Sequence, residues 1–66
     1  MMERTIAKQV CRVIRDPEKN ILCVELLSKV LAEGEKVKDQ VREEMRKNFN
    51  EEERKAIREE LQKIMG

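Results

Sequence analysis

Sixty-six residues make one domain, and a lone domain of this length hides only about 60% of its unfolded surface, so a large core is excluded. Fifteen Lys and Arg stand against 14 Asp and Glu, a net charge of +1, which argues against a protein drawn by bulk charge to nucleic acid or a membrane surface. No apolar run approaches the ~20 residues that span a bilayer, and charges interrupt the start of the chain where a signal peptide would be apolar. The expected location is the cytoplasm.

Charged residues reach 44% against a typical ~25%, with Glu, Lys and Arg dominant. Hyperthermophile proteins have this composition, and so do designed helical chains. The two cysteines and the Met1-Met2 start favour a natural thermophilic protein over a designed or model one. The apolar residues are unevenly spread: 17 of the 26 lie in positions 1–33, whereas positions 34–66 carry 18 of the 29 charges. The first half reads as core material and the second as helices with one thin apolar stripe each.

The first predicted helix spans about 3–15. Ile6, Val10, Val13 and Ile14 share one face, with Ala7 and Cys11 beside it, and Arg4, Lys8, Arg12 and Arg15 follow at helical spacing on the other side. Asp16-Pro17-Glu18 then ends this helix and starts the next. Asp16 suits an N-cap, Pro17 the first helical position and Glu18 the positive helix end, while Pro17 disfavours helical geometry at Asp16. A connection this short predicts an N-terminal antiparallel helical hairpin.

The second helix, about 17–33, carries Ile21, Leu22, Cys23, Val24, Leu26, Leu27, Val30 and Leu31 around more than half its circumference. So wide an apolar face predicts contact on several sides and a central position. Gly34 reads as a glycine just past the helix end. The rival reading is one helix running from 17 to about 48, because Val30, Gly34, Val37 and Val41 keep helical phase through it, and a helical glycine costs only about 1 kcal/mol.

The third helix, about 35–48, has Val37, Val41 and Met45 at intervals of four, leading to Phe49, which reads as a packing anchor at the corner. Asn50 and Glu53 form a capping-box pattern opening the fourth helix, about 51–65, with Glu51, Glu52 and Glu53 as its acidic first turn. Ile57, Leu61 and Ile64 make its stripe, Met45 and Met65 read as core, and Glu51–Lys55 and Glu59–Lys63 are correctly oriented ion-pair spacings. The stripes resemble coiled-coil seams. They make Val37, Val41, Met45, Phe49, Ile57, Leu61 and Ile64 the candidate dimer seam.

Little in the chain carries chemistry. Thr5 and Ser28 are the only hydroxyls, and with no His a nucleophile–base pair has no common form. Two thiols spaced by twelve are not a zinc signature, and no glycine-rich phosphate loop exists. No enzyme activity, cofactor, metal or small-molecule substrate is expected. Cys11 and Cys23 have two readings. They are small buried hydrophobes, or they form a disulfide across the hairpin, since they sit about 7 and 10 Å from the turn along the helix axes. The basic row Arg4, Lys8, Arg12 and Arg15 is either a solvated face complementing an acidic neighbour or a phosphate-contacting stripe. Against the latter, no aromatic residue is placed to stack on bases.

These readings predict an all-α bundle of three or four helices, completed by homodimerisation. The expected function is a small non-enzymatic interaction or assembly module, or a regulator acting through a partner, and that partner is itself or another protein. A nucleic-acid-binding regulator using the first helix is the alternative.

Overall fold

The computed structural model describes residues 2–66. Four helices follow one another, α1 (Met2–Cys11), α2 (Pro17–Glu33), α3 (Lys38–Asn48) and α4 (Glu51–Met65), with a 3-10 turn, Gly34–Lys36, before α3. No strand occurs among the described residues. The radius of gyration is 10.7 Å, close to the roughly 11 Å of a folded domain this long. All four helices therefore fold back on each other within one chain.

Capping explains most of the boundaries. Asp16 accepts from the Lys19 amide at 2.9 Å and Pro17 occupies the first turn of α2. α2 ends where Gly34 takes φ 65 and ψ −133, its N–H bonding the Val30 carbonyl. That conformation suits glycine, and it separates α2 from α3, so the continuous-helix reading does not hold. Asn50 accepts from the Glu53 amide at 2.8 Å, and Glu53 accepts from the Asn50 amide at 2.9 Å, which completes the capping box of α4.

α1 is shorter than the periodicity predicts, because it stops at Cys11 and not at Arg15. The cause lies across the chain in α2. The Asn20 amide donates to the carbonyls of Cys11 at 2.9 Å and Ile14 at 3.2 Å, satisfying groups that an onward helix would have used. Cys11 is also bonded to Cys23, with Cα atoms 5.9 Å apart. Val13 and Ile14 leave the helix but still pack inward, Ile14 fully. α3 likewise starts at Lys38 instead of 35, the 3-10 turn taking the residues between.

One core joins all four helices. Ala7, Val10, Cys11, Ile14, Cys23, Val24, Leu27, Phe49 and Ile57 are buried together, with Ile6, Val13, Leu22, Leu26, Val30, Met45 and Leu61 half-buried against them. α2 packs on both α1 and α3, and α1 also meets α4. Two residues expected in the core lie outside: Ile21, read as part of the apolar face of α2, is 61% exposed, and Met65 at the end of α4 is exposed. The seam residue Ile64 is exposed as well. The Glu51–Lys55 and Glu59–Lys63 pairs are absent too: Lys63 bonds Glu60 instead, at 3.1 Å. Among the described residues, no helix is long and apolar enough to cross a membrane.

Candidate functional site

α3 and α4 each place two arginines one helical turn apart beside their apolar stripe. On α3, Arg42 and Arg46 each directly follow a stripe residue, Val41 and Met45. On α4, Arg54 lies three residues before Ile57 and Arg58 three before Leu61, so each shares a flank with its apolar neighbour. The joining turn at Phe49-Asn50 brings the two flanks together. Phe49 is buried and its amide bonds the Met45 carbonyl at 2.9 Å, which fixes the corner.

The result is an open groove of about 390 Å³. Leu27 of α2 lines it with Met45, Ile57 and Leu61, and Arg42, Arg46, Arg54 and Arg58 stand around this apolar lining. Glu51 is the single acidic residue there. None of the four arginines forms an ion pair or side-chain hydrogen bond with a described residue. The groove thus sets four guanidinium groups and one carboxylate around apolar side chains. A guanidinium presents a rigid fork of donors that matches a carboxylate or phosphate.

The row expected on the first helix is not one row. Arg4 and Lys8 are exposed on α1, beside Asn20, Ile21 and Val24 of α2. Arg12 falls in the connection and pairs with Glu60 of α4 at 3.7 Å, and Arg15 lies further along the connection. The expected dimer seam is also divided. Val37, Val41, Phe49 and Ile57 are buried inside the single chain, Met45 and Leu61 are half-buried, and only Ile64 is exposed. A large part of the seam therefore serves the chain's own core. The two cysteines are joined, fully buried, and leave no free thiol among the described residues.

Electrostatics elsewhere is structural. The Glu53 carboxyl is held below the usual carboxylate range, first by the Asn50 backbone N–H and then by Lys19, whose ammonium lies 3.2 Å away. Among the described residues, no group of three or more His, Cys, Asp or Glu side chains could hold a metal ion.

Apolar periodicity does not mark the groove arginines, because the charged flank of an apolar stripe is ordinarily solvated. The signal was nonetheless present: two Arg pairs spaced by four, on consecutive helices, each pair adjoining the stripe. Comparison with known proteins finds no matching family model, no matching curated protein and no matching solved structure.

Proposed function

We propose that this chain is a small non-enzymatic protein-interaction module. Its working surface is the groove between α3 and α4, and its partner is an acidic amphipathic segment of another protein. The observation that carries this reading is the set of four unpaired arginines around the apolar lining. An acidic helix would lay leucine-like side chains on Leu27, Met45, Ile57 and Leu61, with carboxylates at four-residue spacing reaching the two arginine pairs. In this reading α1 and α2 form an antiparallel hairpin, tied by the disulfide, that serves as the scaffold for α3 and α4. Self-association belongs to the reading but not to this surface, because a twofold contact of groove on groove would oppose arginine with arginine. The setting is the cytoplasm, where a stable disulfide accords with a thermophile's proteins.

The test is calorimetric titration with a synthetic helical peptide bearing Leu and Glu at four-residue spacing. A peptide with Lys in place of Glu and a short DNA duplex serve as controls. The acidic peptide binds, and more weakly as salt rises. Arg42→Glu with Arg58→Glu lowers affinity by about tenfold or more, since each rim pair is worth up to about 1 kcal/mol and reversal adds repulsion. Arg4→Glu with Lys8→Glu leaves binding unchanged. Binding of the duplex in preference to the acidic peptide would replace this reading by the nucleic-acid one. No binding of the acidic peptide at low salt would end it.

A further inference from the structure

A second surface, on the opposite pairing of helices, has a different charge pattern. Ile21 is the large hydrophobic residue that α2 leaves exposed, at 61%. It lies in a shallow depression with Arg4 and Lys8 of α1 on one side, next to Val24. Glu18 and Glu25 are three residues before and four after Ile21, so they stand one turn away along the same exposed face. At 100° per residue both are rotated from Ile21 away from Val24, and hence away from the α1 side. Crossing the surface, one meets two cations, then Ile21, then two carboxylates. Lys29 and Glu33 extend the acidic row with one charge of each sign. Arg4, Lys8, Glu18 and Glu25 have no ion-pair or side-chain hydrogen-bond partner among the described residues.

We infer that this face binds a second copy of the same chain. A twofold axis running parallel to α2 places Ile21 against Ile21 and lays the basic flank of each protomer over the acidic flank of the other. An axis running across α2 would set like charge on like, so complementarity selects one arrangement. Isologous contacts require a patch complementary to itself, and this patch meets that condition while the arginine groove fails it. The apolar centre is narrow, so the dimer is weak, salt-sensitive and seen only at high concentration. The inference does not rest on the groove reading, and peptide binding and self-association can fail separately.

Sedimentation of the full chain tests it, at low salt and up to about 1 mM, the range in which a weak contact populates a dimer. The weight-average mass rises from 7.9 kDa towards twice that value. Arg4→Glu with Lys8→Glu, and separately Glu18→Lys with Glu25→Lys, each yield a monomer, because each variant opposes like charges. Mixing the two restores the dimer, because both flanks are then complementary again. Far-ultraviolet circular dichroism checks that each variant is folded. Ile21→Ser, which keeps every charge, weakens association about tenfold, since it removes most of the buried apolar area. A wild-type chain that stays monomeric at low salt overturns the inference. So does either charge variant dimerising alone as the wild type does, or a mixture that stays monomeric.

Discussion

Reducing the Cys11–Cys23 bond perturbs stability in a way that can be sized from the structure. The bond closes a loop with a sequence separation of 12. On the chain-entropy model a loop of this length restrains the unfolded state by about 3 kcal/mol. Reduction leaves both sulfurs in the core, where Cys11 and Cys23 are fully buried, so loss of packing adds little. For 66 residues the unfolding entropy is about 0.14 kcal/mol per kelvin, from roughly 2.1 cal/mol/K per residue. The midpoint should therefore fall by about 20 °C. The assay is thermal melting by circular dichroism, oxidised against reduced, with thiol titration under denaturing conditions to verify each state. Because the bond is inaccessible, the native chain should resist reductant until it opens, and reduction should accelerate steeply with temperature. A midpoint that moves by less than about 5 °C on verified reduction would refute the entropic argument, since it corresponds to under 1 kcal/mol on the same scale. Finding both thiols free in the native protein would remove its premise.

Gly34→Ala should destabilise the chain by about 1–3 kcal/mol in denaturant titration, although nothing lies within 4 Å of the added methyl, because the cost comes from the φ of +65 itself. An increase in stability would mean that α2 ends differently. Glu53→Gln should cost up to about 1 kcal/mol at neutral pH through the weakened capping box and the lost Lys19 pair. The folded Glu53 has a lowered pKa, so its stabilisation is present above the unfolded value and is lost as pH falls through the folded one. Wild type and variant should therefore converge in acid, and a gap that persists there would point to packing. Ser28→Ala should raise stability by about 1 kcal/mol, because Ser28 Oγ is buried with no partner and alanine is the better helix former. A clear loss of stability would indicate a hydrogen bond to ordered water.

Local rules sufficed wherever a few adjacent residues decide the outcome. Asp16-Pro17 opens α2, Gly34 closes it and Asn50 with Glu53 opens α4, each through bonds spanning at most four residues. The same rules failed at Arg12–Arg15, where the sequence remains helix-compatible and the helix is ended by Asn20 from the next element. Burial was legible on average and not residue by residue. Val37 and Val41 have thin stripes around them yet are buried, because α3 and the turn before it pack against α2. Ile21, in the most apolar segment, is left outside. The groove was invisible for the same reason. Four arginines on two helices become one site only through the angle of a corner, and periodicity within a helix says nothing about that angle.

The Asn20 amide, reaching back to the carbonyls of Cys11 and Ile14, has a consequence for the order of folding. α1 is ten residues long, below the length at which a helix persists alone in water. The Cys11 carbonyl at its end accepts from the Ile14 N–H locally, and Asn20 adds a second bond to it that exists only once the first turn of α2 is formed. α2 thereby stabilises the end of α1, and nucleation should begin in the longer helix and spread backwards along the chain. Amide hydrogens of α1 would then exchange only in openings that also release the start of α2, whereas the last turn of α4, which ends in exposed Ile64 and Met65, should exchange independently by fraying.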